Sequence, residues 1–387
     1  MHFRASLIAL MLLGSACALD QPEASDEPAQ AQVEQAFSGC GGWQCGTNSP
    51  EIANFGFWDL ASPVSEGVLG APNVAGLQIM AFVKMTGPTT YAAYVPRVIK
   101  GKLIGFPFST NTPPYNIPVV RGSGLIDGYF LIQTPSGPFK LIVKEVGTVR
   151  SWAQTPPTLA NPTPEIIYLE SYKLDWTNLQ GEVLTNVCNN AGQRDDLHLM
   201  NGPLSFHTLL FEGDRIDADH KRITGVDTNW FNLGCAASTL AKMALTGHTE
   251  ASRLAHTFNT TLLERQTMLK MLTADYCNDG TPFTVAGQPL NWADDGRTMK
   301  MMALTASPPR PVVREGRWGP EGPLCLDHAR VDLAWTPLGE ATFGLTPSVW
   351  SQMHTHCPAK VIPQCAGTAL GTDGAHLISA VEPNPHP

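Results

Sequence analysis

The pattern of apolar and polar positions divides the chain into a short leader, a strand-rich first half and a mixed second half. A lone apolar run, Ala5 to Leu13, follows Met1-His2-Phe3-Arg4 and then gives way to polar residues. Residues 51–176 carry short β-rich runs bounded by Pro and Gly, with no helical period of useful length. Tyr91 to Val95 and Val98 to Phe106 are two such runs. Tyr129 to Ile132 and Phe139 to Val143 flank Thr134-Pro135-Ser136-Gly137, which predicts a hairpin. Ile166 to Tyr172 is a further strand, entered after the Pro-rich stretch 155–164.

Beyond Thr177 the texture changes. Leu204 to Phe211 alternates, and Gly213-Asp214 reads as a turn. A helix is predicted from Leu233 to Thr246, with Leu233, Ala236, Ala237, Leu240, Ala244 and Leu245 as its apolar stripe and Gly247 at C′. A second helix starts at Thr261, where Thr261-x-x-Glu264 reads as a capping box, and ends before Asn278-Asp279-Gly280. Phe283 to Val285 and Val331 to Trp335 read as strands, and the proline-dense stretch 305–323 as a loop.

The pattern gives an α+β protein: an N-terminal antiparallel β-sandwich or partial barrel, then a disulfide-braced α+β domain with two main helices. The expected division is a signal peptide over 1–17, a disordered acidic tether over 18–47, a β-rich domain over 48–183, an α+β domain over 184–378 and a frayed tail over 379–387. The leader has one positive charge, a short apolar run and small residues before Cys17, which is the layout of a bacterial lipoprotein signal. Its apolar run is shorter than the about 20 residues a spanning helix needs. Cys17 is therefore the expected lipid-accepting residue, and an ordinary cleaved signal is the competing reading. Ala18 rather than Asp follows that cysteine, which by resemblance to other Gram-negative lipoproteins leans toward the outer membrane. Behind it, residues 18–39 hold five acidic side chains, no Lys or Arg, and much Ala, Gln and Pro. Such a segment buries too little apolar surface to offset its ordering entropy.

Charge narrows the partners. The formal net charge is −9, and loss of Arg4 with the leader makes it one unit more negative. No Lys/Arg cluster stands out, which argues against nucleic acid as a partner. The membrane, reached through the lipid anchor, and an envelope protein or glycan are the expected partners. No Gly-rich phosphate loop, G-x-S-x-G elbow or H-E-x-x-H occurs, so no cofactor is expected.

Sulfur says most about the compartment. With Cys17 set aside, Cys40, Cys45, Cys188, Cys235, Cys277, Cys325, Cys357 and Cys365 remain, an even number in an exported chain and the signature of a disulfide framework. Eight cysteines allow on the order of a hundred pairings. Sequence proximity favours Cys40–Cys45 and Cys357–Cys365, with the other four pairing among themselves. Longer-range alternatives stay open.

Three candidate chemistries compete with that brace. Cys235, in Gly234-Cys235-Ala236-Ala237, falls near the predicted start of the first helix, an electropositive position that favours a thiolate. Paired with His248, His256 or His328, it would serve a cysteine-dependent envelope hydrolase. Cys277 has the weaker claim, since a helix C-terminus raises a thiol pKa. His354 and His356 alternate on an expected strand, and two such histidines with a carboxylate are able to grip zinc. A surface strand ending in a disulfide accounts for the same letters.

Ala274-Asp275-Tyr276-Cys277, preceded by Met268 to Thr273, resembles the hallmark of the ADYC-domain proteins, an exported bacterial family. Leu233-Gly234-Cys235-Ala236, Leu240-Ala241-Lys242, Gly280 to Thr284, Trp318 and Cys325 extend the resemblance over roughly residues 184–366. Many proteins of that resemblance carry cysteines near positions 243 and 268, where this chain has Met243 and Met268. The resemblance implies an exported α+β module rather than a particular catalytic machine. With Cys277 in a disulfide, Asp275 is expected to accept backbone N–H groups in the following turn and Tyr276 to be buried. A disulfide-stabilised envelope lipoprotein that binds or braces is the preferred reading, with Trp152 and Trp176 as candidate contact residues.

Overall fold

In the computed structural model, the described residues are 46–47, 49, 52–53, 56, 58–108, 118–154, 166–179, 185–188, 207–235, 238–250, 260–284, 289–294, 300–301, 313–327, 330, 357, 360–365 and 376–381. Cys17, Cys40, Cys45, His256, His328, His354 and His356 lie outside them, as do the leader and most of the expected tether.

The strands, in chain order, are β1 (Gly46–Thr47), β2 (Asp59–Ala61), β3 (Gln78–Gly87), β4 (Thr90–Ile99), β5 (Lys102–Pro107), β6 (Val120–Arg121), β7 (Tyr129–Thr134), β8 (Gly137–Gln154) and β9 (Ile166–Asn178). They continue with β10 (Thr185–Asn186), β11 (His207–Asp217), β12 (Arg222–Cys235), β13 (Pro289–Asp294), β14 (Lys300–Met301), β15 (Val313–Gly319), β16 (Gly322–Leu326) and β17 (Leu377–Val381). The helices are α1 (Thr239–Leu245) and α2 (Leu262–Thr273).

Among the described residues, one sheet has eleven strands in the order β2-β12-β11-β9-β8-β7-β3-β4-β5-β6, with β10 on β9. The second has six, in the order β1-β13-β17-β15-β16, with β14 on β13. The strand pairs are antiparallel. The fold is α+β, and the large sheet is not a closed barrel. It curls instead. Leu103 N donates to Tyr172 Oη at 2.7 Å, Lys100 N and Gly101 N donate to the Glu212 carboxylate, and Ser62 Oγ donates to Pro96 O. These side chains carry the β4–β5 end of the sheet across to β9, β11 and the chain after β2.

Two cores result. Leu60, Phe82, Tyr94, Leu103, Phe130, Leu141, Tyr172, Leu210 and Phe231 fill the inside of the curl. Val149, Leu209, Phe211, both helices and Trp292, Trp318, Leu326 and Leu377 form the other. Leu210 faces one core, and Leu209 and Phe211 the other, because successive strand residues point to opposite faces. Covering both faces suits the unbroken apolar run Leu209 to Phe211 in β11, where a half-polar alternation would bury polar groups.

The expected division at 183/184 falls between β9 and β10, so strands on either side of it share one sheet. Gly46 and Thr47, expected in the tether, pair with β13. Gly213-Asp214 is a bulge inside β11, where the pairing register shifts, and the turn comes after Asp217. The first helix is shorter than the apolar stripe suggested: Leu233 to Cys235 end β12, and α1 begins after Ser238, whose side chain accepts from Ala241 N. The proline-dense stretch 305–323 contains β15 and the start of β16. Residues 281–284 form no strand.

Candidate functional site

α2 delivers the Ala274–Cys277 motif. Its N-terminus is fixed by the full capping box: Glu264 N donates to Thr261 Oγ1, and Thr261 N donates to the Glu264 carboxylate. At its C-terminus Ala274 takes the left-handed conformation, φ 49°, and Asp275 N donates back to Lys270 O at 3.0 Å. That reversal turns the next three side chains into the protein.

Asp275 is fully buried. Its carboxylate accepts from Lys270 Nζ, from Asp279 N at 3.2 Å and from Gly280 N at 3.1 Å. Lys270, equally buried, also donates to His220 O at 2.9 Å, which ties the β11–β12 turn to the helix end. Gly280 meets the same turn: its φ is +90°, and a Cβ there would lie 1.7 Å from Asp219 O. Two further lysines line the region. Lys221 Nζ donates to Gly280 O and Lys360 Nζ to Glu321 O at 2.6 Å, and burial pulls the pKa of both down.

Tyr276 is sandwiched between Phe283 (centroids 5.4 Å apart) and Trp318 (5.6 Å). Its hydroxyl donates to Glu315 Oε1 at 2.6 Å and accepts from Arg330 N at 2.7 Å. Arg330 closes the triangle with Nε and Nη2 on the Glu315 carboxylate at 3.0 and 2.8 Å. The side chains of Glu315 and Arg330 are fully buried as a pair. Burial first, and the Glu315 charge second, push the Tyr276 phenol well above its ordinary pKa, so it stays protonated and donates.

Cys277 is bonded to Cys357, Cys325 to Cys365 and Cys188 to Cys235. The expected Cys357–Cys365 pair is therefore corrected: the motif turn takes Cys357, and β16 brings Cys325 to Cys365. Cys235 ends β12 rather than opening a helix, and it lies in the curled-sheet core bonded to Cys188. His248 lies elsewhere, edge-on to Trp292 at 5.1 Å, with Nδ1 against Thr246 O at 3.0 Å. Met243 and Met268 are both fully buried in the core shared by the helices. Trp176 is partly buried against the curled-sheet core, and the Trp152 side chain is outside the described residues.

One constellation had no signal in the sequence. Ser171 Oγ lies 3.0 Å from His207 Nδ1, and His207 Nε2 lies 3.8 Å from Glu145 Oε2. The three residues come from β9, β11 and β8. Ser171 is fully buried and meets no solvent, and burial pulls the His207 pKa down against the Glu145 charge. A Cβ on Gly147 would sit 3.2 Å from both the Ser171 hydroxyl and the His207 ring, so the group is closely packed and ties three strands. Among the described residues, no group of three or more His, Cys, Asp or Glu side chains is placed to hold a metal ion.

The family model of the ADYC domain matches residues 131–332, more than half of the chain, and takes in the whole motif. No curated protein and no solved structure matches.

Proposed function

The chain belongs to the ADYC-domain family, and from that premise we propose a lipid-anchored, disulfide-braced binding or structural protein of the cell envelope. One observation carries the reading. The family motif spends its chemistry on the fold: the Asp275 carboxylate, the Tyr276 hydroxyl and the Cys277 sulfur are committed to Lys270, Glu315 and Cys357. Three described disulfides are compatible with an exported protein. No helix among the described residues is long and apolar enough to cross a membrane. In this reading the tether point is Cys17, acylated, and the membrane is the outer one. The partner is an envelope protein or glycan, and the acidic charge balance argues against nucleic acid. The alternative, a hydrolase using Cys235, requires the bond to Cys188 to be open.

Thiol-reactive labelling of the native exported protein, without reductant, separates the two. No label on Cys235 is expected. Selective labelling of Cys235 would make the hydrolase the better reading.

A further inference from the structure

The stretch from Ser62 to Leu77, between β2 and β3, presents apolar side chains to solvent on a firmly held backbone. Val64, Val68, Leu69 and Val74 are 64%, 47%, 37% and 95% exposed. Glu66 is the only charged residue in the stretch. The backbone is pinned from beneath. Asn73, itself buried, donates to Gly56 O and Asp59 O at 2.9 and 3.0 Å and accepts from Leu77 N at 2.9 Å. Gly70 N donates to Ile79 O, and a Cβ on Gly70 would lie 1.9 Å from Ala61 O. Gly76, at φ +75°, completes the turn with its N–H on Asn73 O. Scattered surface aliphatics are ordinary, but several on one braced loop mark a contact site.

The side-chain chemistry selects the occupant. Protein interfaces draw their binding energy from Tyr, Trp and Arg, while Leu and Val are under-represented among their hot spots. A surface of Val and Leu with almost no polar group suits a partner that offers hydrocarbon and demands no hydrogen bonds. The 28 residues 18–45 separate Cys17 from β1. Fully extended, 28 residues span at most about 100 Å, so an acylated Cys17 keeps the folded body within that distance of the bilayer. We infer that the 62–77 loop dips its aliphatic side chains into the lipid interface, giving the anchored protein a second, reversible membrane contact. This rests on the lipid-anchored reading. Because Glu66 and the net charge are negative, the contact does not depend on anionic lipid.

The test reconstitutes the full lipoprotein carrying Val74→Trp, or separately Val64→Trp, into phosphatidylcholine vesicles, beside the unsubstituted protein with its nine native tryptophans. Intact mass reads Cys17 acylation independently. The expected result is that the added emission is blue-shifted and is lost when brominated lipid replaces ordinary lipid. Val68→Asp with Leu69→Asp should restore it. An acylated protein whose added emission ignores brominated lipid at both positions overturns the loop contact and leaves the anchor standing. If Cys17 proves unacylated, the anchor reading fails, and the same chain mixed with vesicles still decides the loop: quenching supports it, and unchanged emission overturns it.

Discussion

Replacing Tyr276 with Phe removes one oxygen from a fully buried site and leaves the rings between Phe283 and Trp318 in place. Two bonds disappear. The donation to Glu315 goes to an ionised acceptor, and such bonds contribute about 1.5–3 kcal/mol. The acceptance from Arg330 N leaves a buried backbone N–H without that partner, which costs about 1–3 kcal/mol. Partial relaxation keeps the sum near the low end, so the expected loss is about 3 kcal/mol. Glu315→Gln should cost more, about 3–5 kcal/mol, because it strips a buried Arg330 of its counter-charge. The pair is measured by urea unfolding of oxidised protein, followed by tryptophan emission, with the double variant completing a cycle. Coupling well above 0.5 kcal/mol in magnitude is expected between the two sites. A Tyr276→Phe variant within about 0.5 kcal/mol of the parent, with no coupling to Glu315, would refute the claim that the motif tyrosine acts through this network.

Further expectations follow from single groups. Cys277→Ala with Cys357→Ala opens a bridge spanning 80 residues and should cost about 4–5 kcal/mol in the chain-entropy account, read as a fall in Tm that reductant no longer deepens at that bridge. Gly280→Ala forces a Cβ against Asp219 O at positive φ and should cost more than about 2 kcal/mol by thermal unfolding. Asp59 is lifted, chiefly by burial and against its bond from Asn73, from its ordinary 3.8 to about 6. The folded state therefore holds this proton more tightly than the unfolded one, so its contribution is full below about pH 4 and is lost as pH rises through 6. That contribution is at most about 3 kcal/mol, and Asp59→Asn should flatten this part of the stability–pH curve relative to the parent. Parallel curves for the two proteins would show that Asp59 does not titrate there.

What was legible in the sequence was mostly local. The capping box at Thr261 and Glu264 formed as spaced, and the hairpin around Thr134 to Gly137 formed with the pairing its turn dictates. The β15–β16 hairpin was hidden by its prolines. Pro320 occupies the turn, and Pro323 lies on the edge strand β16, where a missing N–H is tolerated. Leu233 to Thr246 read as one helix because a short apolar run serves a buried strand equally well, and here it is divided between β12 and α1. The sulfur pairing followed space rather than sequence: seven residues separate Cys357 from Cys365, yet each bonds elsewhere. Asp275 shows its turn-capping role in its own letters. The Tyr276 partners Glu315 and Arg330 lie 39 and 54 residues away and leave no periodic trace.

Peptide mapping of the mature exported protein under non-reducing conditions tests the account most directly. The expected result is cross-linked peptides joining Cys188 to Cys235, Cys277 to Cys357 and Cys325 to Cys365, with an acylated N-terminal Cys17 in the same digest. Reduced thiols at these six positions in folded protein, or an N-terminus without lipid, would contradict it.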